Sequence, residues 1–300
     1  MAITKTQLGR LGKSFAATGR ILLSHETPRD AAAISYFSLV ALFPAILVMI
    51  AVVDAFLGWM NLHRTVIQHI ISLFPGSRQF LRSYLSDITA LSTPVVLSCA
   101  AVVLWSSSLI LPCIESAINR AWGVKSQRTF WESRLRSIVF ALLIGGSLLC
   151  SASITAIVSA ARTRTAAVIP ESATYFMGWF WYFILLGTGL LIAILVFAFL
   201  FKWTPHRKVL WREALPGALV STFLWHIGSL IFVKLIPFFD YQRIYGKMGA
   251  VIALLAWVYT SNVIMLFGAN FSAQLHGMDK RSLPDSDTLS EGAYRSPSLR

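Results

Sequence analysis

Of 300 residues, 56% are hydrophobic and only 13% charged, and the formal net charge is +13. A soluble domain carries about 25% charged and about 45–50% apolar residues, so a water-facing globule of this length is excluded and a bilayer is the fitting solvent. A basic balance can mark nucleic-acid binding, but here the cations sit in short segments between apolar runs, as membrane topology requires, so no nucleic-acid partner is expected.

Residues 1–30 come first. Leu8, Leu11, Phe15 and Leu22 fall on one helical face, and Arg10, Lys13, Ala17 and Arg20 fall opposite. Such a helix suits the anionic surface of a cytoplasmic leaflet. Packing on the end of a helical bundle is the alternative, because Gly9, Gly12 and Gly19 weaken a free helix. A cleavable signal peptide does not fit, since the first apolar run starts after about 30 mixed residues and exceeds a signal core.

A membrane-spanning helix needs about 20 apolar residues. Six stretches qualify, at 31–53, 93–114, 137–161, 176–201, 214–233 and 250–271. The sequence therefore predicts an all-α integral membrane protein with a six-helix membrane domain over 31–275. Between the first two spans, Val66, Ile67, Ile70, Ile71 and Phe74 form one helical stripe that stops at Pro75-Gly76. Phe80, Leu81, Tyr84, Leu85 and Ile88 form a second, so two short helices are expected in this outer loop. Residues 276–300, rich in Ser, Asp, Arg and Pro, read as a disordered cytoplasmic tail.

Orientation follows from the cations. Eighteen Lys and Arg lie in the N-terminal segment, the second and fourth loops and the tail, against eight in the other three loops. The positive side is cytoplasmic, so both termini are expected inside, in the bacterial inner membrane. Membrane lipids are the expected partners, and the reading allows self-association into a homo-oligomer.

Polar groups inside a bilayer are costly and mark candidates for function. The first span carries Ser35, Tyr36, Ser38 and Pro44; the second carries Trp105, Ser106, Ser107, Ser108, Pro112, Glu115 and Asn119. Pro112 removes a backbone donor, and a carbonyl freed there can face a cavity. Glu115 reads first as a snorkelling or paired carboxylate with Arg120 within reach. In the third span Ser147, Ser151, Thr155 and Ser159 recur every four residues, either as close-packing small residues or as the wall of a water-filled path. The last span holds Asn262 and Asn270, and His226 reads as a hydrogen-bonded packing residue.

No catalytic constellation emerges. His25, His63, His69, His206, His226 and His276 form no HxxEH or HxH pattern, and no phosphate-cradling GxxxxGKS/T loop occurs. Cys99, Cys113 and Cys150 lie in apolar runs and suggest neither a disulfide framework nor a zinc site. No metal, cofactor or catalytic residue is therefore expected.

Several segments in order resemble the YihY/BrkB family of bacterial inner-membrane proteins. They are Ala31 to Pro44, Leu104-Trp105-Ser106-Ser107-Ser108 with Ala117 to Trp122, Leu215-Pro216-Gly217-Ala218 with Trp225, and Tyr245-Gly246-Lys247-Met248-Gly249 with Trp257, Tyr259 and Gly268-Ala269-Asn270. The resemblance implies a six-helix polytopic protein with suspected transport and a link to the cell envelope or virulence. The family's older ribonuclease BN label gains no support, since neither a metal site nor an RNA-binding domain is visible. Family members commonly carry Glu where this chain has Asn270, so carboxylate coupling at that position is not expected.

The leading expectation is a transporter or flippase of a lipid-like or amphipathic envelope solute. Its path candidates are Tyr36, Pro44, Trp105, Ser106, Ser107, Glu115, Asn119, Ser151, Thr155 and Asn270, with Tyr245 and Gly246 as a gate or hinge. The alternative is a non-catalytic scaffold for envelope machinery, and a membrane-embedded enzyme comes third.

Overall fold

The computed structural model describes residues 5–22, 26–57, 93–124, 132, 135–136, 138–140, 142–147, 150–151, 153–155, 158, 171–239 and 245–281. Among them lie six long helices: α1 (Lys5–Leu22), α2 (Glu26–Leu57), α3 (Thr93–Ala121), α4 (Glu171–Trp203), α5 (Trp211–Phe239) and α6 (Gly249–Arg281). No strand occurs among the described residues.

Five helices are long and apolar enough to cross a membrane, over Glu26–Val48, Thr93–Ala121, Trp179–Trp203, Trp211–Ile236 and Gly249–Gly277. They coincide with five of the six expected spans. Of the remaining run at 137–161, the described residues form the shorter apolar helix Ile138–Ser147. The short helices expected between Val66 and Ile88 lie outside the described residues, as does the tail beyond Arg281. Helix α6 itself continues to Arg281, past the point where the tail was expected to begin.

The helix ends follow from local chemistry. Helix α3 stops at Gly123, whose φ of +66° is open to glycine and costly for a residue with a Cβ. There Gly123 N–H donates to Arg120 O at 3.0 Å and Val124 N–H to Asn119 O at 2.9 Å, the paired bonds of a Schellman cap. Helix α4 ends ahead of Thr204-Pro205, since the residue before proline disfavours helical ψ. Helix α5 opens with Glu213 reaching back to the Leu210 N–H at 3.3 Å, half of a capping box. Pro44 and Pro112 lie inside continuous helices. Pro112 itself is exposed, while Ser108, the residue whose carbonyl it leaves without a helical donor, is buried.

Helix α6 is the hub, packing against α1, α2, α3 and α5. Its crossing with α5 rests on small residues. A Cβ on Gly217 would overlap the Gly268 carbonyl and Ser272 Oγ, and one on Gly268 would overlap Ser221 Oγ. The pairs Gly217-xxx-Ser221 and Gly268-xxx-Ser272 thus bring two backbones together, the packing mode favoured where lipid supplies no hydrophobic drive. Gly217 N–H donates to Ser272 Oγ at 3.0 Å, and Trp225 Nε1–H to Ser261 Oγ at 3.1 Å further along the same crossing.

Helix α1 packs on α6. Among its described side chains Ser14 and Thr18 are buried, while Phe15 meets Phe267 and Phe271 edge-on and Lys13 and Arg20 stay exposed. Contact with the bundle, one of the two readings of this segment, is thus present, and small polar residues take part in it. The main core lies where α2 begins, α3, α4 and α6 approach their ends and α5 starts, around Ala31, Ile34, Ile118, Phe201, Ala218 and Leu266. This is also where Arg120, Lys202, Arg207, Lys208 and Arg212 gather, and it is called the basic end below.

Candidate functional site

Two polar clusters occupy the basic end. The first lies among α1, α2, α3 and α6, around a cavity of about 160 Å³ whose polar lining is Glu26, Thr27, Asp30, Arg120, Asn270 and Gln274. Asp30 enters one turn into α2, and Arg120 comes from the last turn of α3. The Arg120 guanidinium pairs with Asp30, lies 3.8 Å from Glu26, and donates to Ser116 Oγ at 2.8 Å. Asn270 is buried, its Nδ2 donating to Leu266 O at 2.8 Å, so its carbonyl oxygen is the acceptor left for an occupant.

The second cluster ties the α4–α5 connection to its neighbours. Asn119 holds His206 twice: its Oδ1 accepts the His206 backbone N–H at 2.8 Å, and its Nδ2 donates to the ring Nδ1. That bond requires the proton on the other ring nitrogen. Arg207 stacks its guanidinium 4.4 Å from the Trp122 ring centre and pairs with Glu213 at 3.1 Å. Glu213 also accepts from His276 Nδ1 at 3.1 Å, joining the last turns of α6 to the first turn of α5. One carboxylate thus caps a helix, pairs a loop arginine and anchors a neighbouring helix.

The expected path residues separate into groups. Asn119, Glu115 and Ser106 are buried on α3, the first two on one face and Ser106 about half a turn away from it, and Asn270 borders the cavity. Tyr36 and Trp105 point outward and are largely exposed, as a hydrocarbon-facing aromatic would be. Ser107 donates to Val103 O at 2.5 Å, Thr155 to Ser151 O at 2.8 Å, and Ser147 to Ile144 O at 2.8 Å. These hydroxyls satisfy their own helices; Ser159 lies outside the described residues. Pro44 is half-buried within α2. Tyr245 is half exposed, and Gly246, at φ +57°, opens a 3-10 turn (Gly246–Met248) leading into α6.

Arg120, expected beside Glu115, turns instead to the two carboxylates at the start of α2. His226 Nδ1 bonds Thr222 O at 3.0 Å within its own helix, as a packing histidine does. Sequence reasoning missed Asp30, His206, Glu213 and His276. Glu213, three residues after the helix-start position Leu210, carried a capping signal that could have found it. Among the described residues no group of three or more His, Cys, Asp or Glu is placed to hold a metal.

The family description "Virulence factor BrkB" matches residues 20–289. A Bacillus subtilis protein, the ribonuclease-like YfkH, is 27% identical over 265 residues, covering 87% of this chain and 94% of its own length. A UPF0761 membrane protein of Alteromonas mediterranea is 28% identical, covering 81% of this chain and 80% of that one. Another, from Stenotrophomonas maltophilia, is 28% identical over 82% of this chain but only 56% of its own length. No solved structure matches this chain.

Proposed function

The chain belongs to the BrkB family of membrane proteins, and from that premise we propose that it is a transporter or flippase of a lipid-like or amphipathic envelope solute. In this reading it crosses the bacterial inner membrane six times, with 137–161 as the third span and both termini cytoplasmic. The eighteen-to-eight division of Lys and Arg supports that orientation.

The observation that carries the proposal is the polar cavity between membrane-spanning helices. Asp30, Arg120, Thr27, Asn270 and Gln274 converge there on a space of about 160 Å³, room for roughly five water molecules at about 30 Å³ each. A lipid headgroup needs more, so the cavity is read as a vestibule that widens when the Arg120–Asp30 link opens. Asn270 replaces a carboxylate and offers an amide to the solute's polar part without a titrating proton. At the far end of α6, the Gly246 turn supplies the hinge. Alternating exposure of a central polar site between packed bundles is the general mechanism of secondary transport.

Reconstitution tests this. Vesicles carrying the protein should move a fluorescent phospholipid or glycolipid between leaflets faster than empty vesicles, with Asn270→Leu about tenfold slower. Equal rates with and without protein, for lipid and glycolipid alike, would sink the proposal. Orientation is checked with a single cysteine at position 13 or 295, which should react with a membrane-impermeant maleimide only after the cells are opened.

The scaffold reading draws on a different observation. Ser147 and Thr155 bond their own helix carbonyls, which weakens the polar wall expected along the third span, and Ser107 does the same on the second. Recovery of one stoichiometric partner by a protein that moves no lipid would favour it.

A further inference from the structure

A second concavity at the basic end takes no part in the path proposed above. It has a volume of about 720 Å³ and lies between the segment carrying Arg136 and the end of α4 with the loop that follows. Arg136, Lys202, Arg207 and Lys208 line it, and no carboxylate of the described residues does. Glu132, one turn before Arg136, is exposed and lies outside the lining.

The four cations are not equivalent. Arg207 is paired with Glu213, and Lys202 lies 4.0 Å over the Trp211 ring. Arg136 gives Nη1 to Trp203 O at 3.1 Å, which orients the guanidinium and leaves its other donors. Lys208 is exposed and makes no ion pair with a described residue. Apolar lining comes from both sides, Leu135, Val139 and Phe140 beside Arg136 and Trp203 beside Lys202.

Its level in the bilayer identifies the ligand. Trp203 ends one candidate span and Trp211 begins the next, and tryptophans at span ends mark the headgroup layer. Val139 and Phe140, one turn further along from Arg136, therefore face acyl chains while Arg136 and Lys208 stand among phosphates. We propose that this groove is a binding site for an anionic phospholipid of the leaflet at the basic end, its phosphate held by Arg136 and Lys208 and a chain laid along Leu135, Val139 and Phe140. The proposal rests on membrane placement alone and holds whether or not the cavity beside Asn270 conducts.

The test uses purified, delipidated full-length protein in detergent, titrated with phosphatidylglycerol or phosphatidylcholine and read by native mass spectrometry. One phosphatidylglycerol should bind saturably, at least tenfold tighter than phosphatidylcholine. Removing each cation should cost about fivefold, so Arg136→Gln with Lys208→Gln should weaken phosphatidylglycerol roughly 25-fold and phosphatidylcholine little. Arg212→Gln removes an exposed neighbouring charge outside the groove and should leave both unchanged. If the double variant loses its monodisperse elution, each single variant is measured and should show its own fivefold loss. Equal binding of the two lipids, or an equal loss in the Arg212 variant, would overturn the site. Displacement of the lipid by millimolar glycerol phosphate or inorganic phosphate would overturn its assignment to a phospholipid.

Discussion

Helix α6 is held on two sides by opposite means. Against α5 it lies backbone to backbone at Gly217 and Gly268, where a Cβ has no room. Against α2 and α3 it borders a cavity lined by long side chains, where Arg120 of α3 bridges to Asp30 of α2 and Asn262 Nδ2 of α6 donates to Ser35 Oγ at 2.9 Å. At the α5–α6 crossing hydrogen bonds from Gly217 and Trp225 to Ser272 and Ser261 add to a packing too close to admit a Cβ. Side-chain bridges such as Arg120–Asp30 can lengthen, take in water and re-form. A single added methyl group should therefore disturb the α5–α6 side more than the loss of one bridge disturbs the α2–α3 side.

The largest test of that contrast is Gly268→Val. It drives a branched side chain into Ser221 and the Gly217 carbonyl, and overpacking costs about 1–3 kcal/mol or more, so a fall in Tm and loss of monodisperse protein are expected. Gly187→Ala, where a Cβ meets nothing, should keep the wild-type Tm. On the other side, Asp30→Asn should cost about 1–2 kcal/mol, between exposed and buried pairs, because Arg120 is partly exposed. The charge swap Asp30→Arg with Arg120→Asp should recover much of the loss; a swap as unstable as either single change would show that the pair is not what closes the cavity.

Asn119→Ala removes both bonds to His206 and should cost about 1–2 kcal/mol. Its effect should be local, with hydrogen exchange rising over 204–210 and the α5–α6 crossing unchanged. Asn262→Leu should cost about 0.6 kcal/mol, the usual size of an interhelical hydrogen bond in a membrane. Ser107→Ala should change stability by less than about 0.5 kcal/mol, since its hydroxyl serves its own helix. A large loss of solute movement in that variant would restore Ser107 to the path.

The spans were legible in the sequence because run length and hydropathy are properties of single segments. Helices α2 to α6 fall over five of the predicted runs, and their ends extend beyond them where Glu213 and Gly123 supply caps. The site was less legible. Asn119 and Asn270 could be picked out as buried amides, but their partners lie 87 residues away in the first case and across several helices in the second. Nothing near Arg120 in sequence marks it as the mate of Asp30, because that pairing depends on how α2 and α3 cross. Trp105 and Tyr36 drew attention by their motifs, yet a motif does not say which way a helix is turned. Ser14 and Thr18 escaped notice for the converse reason: a contact through small polar residues leaves no hydrophobic stripe to read.

Helix α6 also leaves the ribosome after every helix it packs against. Helices α1, α2, α3 and α5 each have a face that meets α6, so during synthesis those faces stay unfilled until it arrives. Ser221 and Trp225 gain their bonds to Ile264 and Ser261 only when that helix has been inserted. Ser35 and Glu213 already have company, in Ala31 and in Arg207 with the Leu210 N–H, and gain Asn262 and His276 at the same stage. A chain stopped before residue 261 would leave the α5 side of the crossing open to lipid, a state suited to capture by membrane quality-control proteases. Insertion of α6 is therefore the step that joins its four neighbours.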